Sequence, residues 1–539
     1  MKTHRKEFSI TTSRKSILAG KKQWILSMLF FCIFSNSSFS QGLEKCACLS
    51  EFQFLQGYIE TNFAAFNDNV NEANRGDYES FVQKIKSEIS DDSIDDHCLI
   101  YLQRYLNFFK DNHTQINDPG YIFDESDEAA FQEFLRSPHF QKRERVDLDL
   151  AALEKSLATA TSNEIEGIYQ SSDGSYKVAL VKNQNAFRDY YGIILDSKSK
   201  LWQPGQVKFE LKQTGENSFK GFYYYKYYGL NTEAVIYDGR KLGSWVKKGL
   251  ESTQNEAQTA INNQAKGPFD FKKIKEDVGY LSIKTFEGYL KSMFDSVLLA
   301  HQEDILSLPK LIIDVRGNGG GSDALLSGLM PLMYTDTIYT ELPQLYVTED
   351  NYRIYKEFLQ EMQADSLSYG LETITNFGKL VQKFENSPSR VFVPMFDSID
   401  DLGHERRVNL GAKSYTFTNL LGEDKNYMKT FTDTEKLPGL PQKIVLLIDR
   451  GCASTCENLI LLANQNSKVI TLGQNSGGYK GYGNVFPVIT PMGYRLNMST
   501  TRYEDARKYE FVGIPPQIYI EDNEDWIRRA MELLDGKED

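Results

Sequence analysis

Histidine is scarce in this chain, six in 539 residues, and cysteine is no more plentiful. No second Cys pair or His pair stands at ligand spacing to complete a zinc site beside Cys452 and Cys456, so no metal and no cofactor is expected. Positive charge is also short. Lys and Arg number 61 against 74 Asp and Glu, a net −13, which argues against nucleic acid or an anionic membrane surface as partner. Long apolar runs are missing: the one at residues 24–34 is about half a membrane span, and nothing else approaches that length. Three familiar signatures are incomplete. Cys452 and Cys456 occupy the glycine positions of a Gly-x-Ser-x-Gly elbow, which disfavours an α/β-hydrolase. Ser322 stands where Gly-x-Gly-x-x-Gly needs its last glycine, and no Lys-Ser/Thr follows, so dinucleotide and P-loop readings are weak.

What the chain has in quantity is apolar surface. Hydrophobic residues make up 41%, with 31 Tyr and 33 Phe, so large cores can form and the length implies two to four domains. Residues 1–22 carry seven Lys/Arg and one Glu; the short apolar run and then Ser35-Asn-Ser-Ser-Phe-Ser40 follow. That order is expected for a signal peptide over residues 1–40, and so for an exported, periplasmic or extracellular protein with no transmembrane segment after its removal. Losing those seven bases and one acid takes the formal charge to −19. In an oxidising compartment a bridge from Cys46 or Cys48 to Cys98 is expected, while Cys452 and Cys456 either pair or stay buried.

Apolar residues at three- and four-residue spacing predict helices over 49–66, 78–89 and 96–109, then two shorter ones at 128–136 and 148–157. The third ends in the polar turn Asp111-Asn-His-Thr114. Residues 163–250 change to short alternating strands divided by turn residues, a small all-β barrel or sandwich. Residues 251–266 are polar and linker-like. From 267 to 539 the pattern is α/β, interrupted at about 341–440 by an insertion with a long helical pattern over 351–384.

Two segments of that α/β region carry chemistry. Leu311-Ile-Ile-Asp-Val-Arg-Gly-Asn-Gly-Gly-Gly321 is a buried-type strand ending in a glycine loop, whose N–H groups can bind an oxyanion. Ile444-Val-Leu-Leu-Ile-Asp-Arg-Gly-Cys-Ala-Ser-Thr-Cys-Glu457 is a second strand, with Ser454 where a helix opens. Such a serine can attack a carbonyl if a base takes its proton. Equally, Ser454 and Glu457 can form a capping box and nothing more. Both loops lie at the same end of their strands, where open α/β sheets bind ligands. Two bases are candidates: His113 in its polar turn, and Lys480 in Gly477-Gly-Tyr-Lys-Gly481, provided burial lowers its pKa.

Residues 314–321, Ala453-Ser-Thr-Cys-Glu457, Gly473-Gln-Asn-Ser-Gly-Gly478 and Tyr509-Glu-Phe-Val-Gly-Ile-Pro-Pro516, in that order, resemble the S41 peptidases, which include C-terminal processing peptidases, tricorn protease and interphotoreceptor retinoid-binding repeats. The strong part spans 275–335 and 440–520, and Asp111-Asn-His-Thr114 resembles the Asp-Gly-His-Thr element of the non-processing branch. The resemblance implies a crotonase-like β/α spiral core, preceded here by the helical and all-β domains, and a peptide or protein substrate. On the tricorn-like pattern Ser454 is nucleophile, His113 general base and Glu510 the carboxylate completing the network. Gly319 or Gly320, with the Thr455 N–H, would form the oxyanion hole. Asn112 stands where tricorn has a serine before the histidine; its amide oxygen could substitute. In the processing branch a lysine is the base, which keeps Lys480 as alternative, although it lies one residue further from the serine and 163–250 does not resemble the PDZ domain of that branch. A non-catalytic peptide- or lipid-binding relative is the other class of reading.

Overall fold

The computed structural model describes residues 39–91, 97–120, 127–141, 143–158, 164–183, 187–215, 217–237, 239–249, 267–397, 405–411, 413–433, 435, 437, 440–521 and 524–537. Residues 1–38 of the 1–40 stretch expected to be a signal peptide, and the 251–266 stretch expected to be a linker, therefore lie outside the described residues.

Three helices open the chain: α1 (Phe39–Asn62), α2 (Arg75–Asp91) and α3 (Cys98–Leu106). Their apolar spacing places Phe52, Leu55 and Ile59 of α1 against Tyr78, Val82 and Ile85 of α2 and Leu102 and Tyr105 of α3, all buried. A ring cluster fills the centre, with Tyr105 edge-on to Phe52 at 5.3 Å and to Phe109 at 5.4 Å. Edge contacts of this kind add about 0.5–1.5 kcal/mol each beyond area burial. Cys48 and Cys98 are bridged, with Cα atoms 5.6 Å apart, tying α1 to α3 across 50 residues. Closing a loop of that size removes about 4 kcal/mol of unfolded-chain entropy in the chain-entropy account. The side chain of Cys46 lies outside the described residues.

After α3 the chain forms the short strand β1 (Gln115–Asn117) and two small helices, α4 (Glu128–Arg136) and α5 (Leu150–Leu157), each capped by an Asp side chain. Eight antiparallel strands follow: β2 (Gly167–Ser171), β3 (Tyr176–Lys182), β4 (Tyr190–Ser197), β5 (Val207–Gln213), β6 (Ser218–Tyr224), β7 (Leu230–Ile236), β8 (Lys241–Leu242) and β9 (Trp245–Lys247). Their order is β7-β6-β5-β4-β3-β2-β9-β8, and a bridge between Tyr237 and Leu242 brings β7 round to β8, closing a barrel. The hairpin β8–β9 has no counterpart in the sequence reading, because strands of two and three residues are too short to show alternation.

The α/β region is built on a six-stranded sheet, β10 (Phe269–Lys275), β11 (Val278–Ile283), β12 (Lys310–Asp314), then Lys443–Ile448, Val469–Gly473 and Ile518–Tyr519, in that spatial order. All neighbours after the β10–β11 hairpin run parallel. Every residue of β11 is buried, as are residues 311–314 of β12 and 444–448 of the strand beside it. Within the insertion the helical run over 351–384 divides into Glu349–Ala364 and Leu371–Glu385, broken at Gly370 with φ +78°. Strands at Gln344–Val347, Val391–Pro394, Glu405–Leu410, Lys413–Leu421 and Tyr427–Phe431 accompany them, so the described part of this stretch is mixed rather than helical throughout.

The N-terminal region joins the core by strand addition. β1 pairs antiparallel with Arg495–Arg502, Gln115 opposite Asn497, and Thr114 Oγ1 accepts from the Ser499 N–H at 3.3 Å. Buried Gln103 locks the barrel to the same place, its Oε1 accepting from Ile116 N–H and Thr232 Oγ1. A turn more than 300 residues upstream is thereby fixed against the core.

Candidate active site

β12 and the strand Lys443–Ile448 are parallel neighbours in register, Asp314 opposite Leu447, so their following loops emerge side by side. Three bonds stitch them together: Ala453 N–H to Asn318 O at 3.0 Å, Thr455 Oγ1 to Gly321 O at 2.9 Å, and Gly317 N–H to Asp449 Oδ1 at 2.8 Å. Gly320 has φ +93°, and a Cβ there would lie 2.5 Å from Ala453 O and 3.0 Å from both Ser454 Cβ and Thr455 N. Only glycine permits that approach. The Gly320 N–H donates to Asn318 Oδ1 at 2.9 Å, whereas Gly319 N–H and Thr455 N–H have no acceptor among the described residues.

Ser454 precedes helix Thr455–Ala463 with φ +55° and ψ −116°, a strained conformation for a residue with a Cβ. It is held by Glu457. This fully buried carboxylate accepts from Ser454 N–H (3.0 Å), Ser476 Oγ (2.6 Å), Gly478 N–H (3.0 Å) and Tyr479 N–H (2.8 Å). Burial pushes its pKa up, and the four donors oppose that shift. The capping-box spacing identifies Glu457 in sequence, but its tie to residues 476–479 has no local signal.

His113 lies on the far side of those residues. Its ring meets Tyr479 edge-on at 5.1 Å, and its Nδ1 stands 4.0 Å from Asp111 Oδ1, beyond hydrogen-bond distance. Nδ1 is buried without a partner among the described residues. Burial lowers the His113 pKa and the Lys480 charge adds to this; Asp111 and the Tyr482 backbone oppose it. No hydrogen bond joins the ring to Ser454 among the described residues. The route between them runs through Tyr479 and Glu457. No hydrogen bond joins Asn112 to the ring among the described residues; its Nδ2 donates to Gly478 O at 2.9 Å and Gly477 O at 3.3 Å.

Glu510 accepts from Asn112 N–H at 3.1 Å and Gly481 N–H at 2.6 Å, so it grips the main chain of the histidine turn rather than the ring. Burial raises its pKa well above the usual carboxylate range, with the Asp111 charge acting the same way. Lys480 is buried beside it, its Nζ 3.1 Å from the Tyr503 ring centroid. Burial brings its pKa down to about 8 against the pull of Asp323, Glu341, Glu457 and Glu510. Loop 476–481, which carries Lys480, thus touches each of the others: Ser454 through Glu457, His113 through the Tyr479 ring, and Glu510 through the Gly481 N–H. Among the described residues no group of three or more His, Cys, Asp or Glu could hold a metal ion, and no helix is long and apolar enough to cross a membrane. Cys452 and Cys456 are buried and unbridged.

Residues 277–520, which contain every one of these loops except the histidine turn, match peptidase family S41. Over that stretch the chain is a serine peptidase of the S41 type. Solved structures similar to the peptidase include mature CPAF, at 13% identity over 92% of this chain and 96% of that one, TM-score 0.44. The tricorn protease is similar at 12% identity over 92% of this chain and 37% of that one, TM-score 0.37. The photosystem II D1 C-terminal processing protease gives 11% identity over 88% and 92%, TM-score 0.31. No curated protein sequence matches the peptidase.

Proposed function

We propose that this peptidase is exported and cleaves peptides or unfolded protein segments internally, through an acyl-enzyme on Ser454 with His113 as general base. The carrying observation is the strained Ser454 backbone, wedged between Gly320 and the free Thr455 N–H. Strain of this kind is kept where it aims a side chain. In the reaction, Ser454 Oγ attacks the scissile carbonyl carbon as its proton passes to the His113 imidazole. Thr455 N–H and Gly319 N–H receive the oxyanion, since the Gly320 N–H already serves Asn318. His113 then protonates the leaving amine, and water, deprotonated in turn by His113, releases the acid. Substrate binding has to draw ring and hydroxyl together, a tightening common in ligand-free sites. The bridged cysteines and the basic–apolar N-terminal segment support export. The core is read as the crotonase-like β/α spiral, with helical and all-β domains at 41–160 and 163–250.

A second reading has support of its own: Lys480 is buried with a pKa of about 8, as a lysine base requires. The pH dependence of kcat/KM separates the two. A His113 base is neutral above its lowered pKa, so activity is full at neutral pH and falls only below about 6.5. A Lys480 base would instead put the half-maximum near 8. A profile flat from about pH 7 to 9 with a limb below 6.5 supports His113; a midpoint near 8 overturns it.

A further inference from the structure

At one end of the barrel opens a cavity of about 940 Å³, within the range of small-molecule sites. Tyr176, Lys208, Tyr223, Tyr225, Glu233 and Trp245 line its wall. Eight-stranded barrels of this kind either fill with side chains or hold one small ligand. Here the lining is neither filled nor internally satisfied.

Lys208 is the clearest case. It is only 4% exposed, and its Nζ sits 3.8 Å from the Trp202 ring centroid and 4.1 Å from that of Tyr176. An ammonium has three donors, and its single acceptor among the described residues is Tyr225 O at a long 3.4 Å. No carboxylate there lies within 4.0 Å. Asp173, whose charge reaches it, is committed to the β2–β3 turn by Ser171 Oγ, Ser175 N–H and Ser175 Oγ. Arg143 adds a second positive charge nearby and is itself stacked on Tyr224 at 3.5 Å. Tyr223, 9% exposed on the same wall, has a hydroxyl buried without a partner among the described residues. A buried amine with one long hydrogen bond and no carboxylate partner, and a hydroxyl with no partner, each cost folding free energy that a bound acceptor would recover.

We propose that the barrel is a binding site for a carboxylate attached to an apolar or aromatic body. The carboxylate takes Lys208 Nζ and the Tyr223 hydroxyl, and the body covers the rings of Tyr176, Tyr225 and Trp245. The rings of Tyr176 and Trp245 continue into Trp202 and Phe209: Tyr176 is 6.5 Å from both Trp202 and Trp245, Trp245 is 4.9 Å from Phe209, and Phe209 is 5.2 Å from Tyr223. Glu233 is on the same lining, and none of the lining residues is one of the candidate active-site residues. The site does not depend on which base serves Ser454. The same ligand chemistry arises from a free organic acid or from the C-terminal end of a peptide.

The test is calorimetric titration of the full chain carrying Ser454→Ala, which keeps peptides intact. Probes are N-acetyl-phenylalanine, its carboxamide, and a hexapeptide ending in phenylalanine with a free or amidated terminus. Carboxylates are expected to bind about tenfold or more tightly than their amides, and to lose that preference in Lys208→Met. Tyr223→Phe, which removes one oxygen and keeps the ring, should weaken them several-fold while amide binding is unchanged. Binding of both acids assigns a general acid site; binding of the peptide acid alone assigns a peptide terminus. Equal affinity for acid and amide, unchanged binding in a folded Lys208→Met, or no binding up to about 10 mM overturns the proposal.

Discussion

Ser454→Ala is expected to lower peptide cleavage about ten-thousandfold or more, leaving only what the oxyanion donors and substrate binding supply. Its thermal midpoint should stay close to that of the parent, because the hydroxyl is not part of the core. Ser454→Gly makes a sharper companion. At φ +55° any residue with a Cβ is strained by about 1–3 kcal/mol, and glycine is not. Part of that gain is offset by the greater entropy of glycine in the unfolded chain, about 0.5–1 kcal/mol. The glycine variant should therefore be inactive yet at least as stable as the alanine variant. Melting curves and peptide turnover on the same three proteins check both halves; an alanine variant clearly more stable than glycine would contradict the strain argument.

The second large effect falls on Glu457, which touches no substrate. Glu457→Ala leaves the Ser454, Gly478 and Tyr479 N–H groups and the Ser476 hydroxyl without their acceptor in a fully buried place. Leaving buried donors unpaired costs about 1–3 kcal/mol each, so a net loss of about 3–5 kcal/mol is expected after some relaxation. Activity should fall about 100-fold in kcat, since a displacement near 1 Å between nucleophile and base has that effect. Glu457→Gln fills the same volume but turns an amide donor toward other donors, so it should retain part of the stability and little of the activity. Turnover unchanged in a destabilised Glu457→Ala would show that the carboxylate is structural alone.

The strands and helices were largely legible because their apolar periods are strong. Residues 128–136 form a helix over the same residues that carry the spacing, and β12 falls on the buried-type strand read from Leu311. The glycine loop and Ser454 were legible for a different reason: oxyanion binding and nucleophilic attack demand particular residue types in short stretches. What the sequence concealed is long-range. Glu457 reads as a local cap, yet three of its four partners come from 476–479. Asn112 reads as a support for His113, yet its amide crosses to Gly477 and Gly478. Glu510 binds main-chain N–H groups at 112 and 481, contacts that no spacing rule anticipates. The β8–β9 hairpin, and with it the closure of the barrel, depends on strands too short to carry a period.

The most direct test of the central assignment is labelling with an organophosphonate that reacts only with an activated serine, located by peptide mass spectrometry. The account predicts one adduct, on Ser454, retained in Lys480→Met and lost in a folded His113→Ala. An unlabelled Ser454, or an adduct that survives His113→Ala and disappears in Lys480→Met, would contradict it.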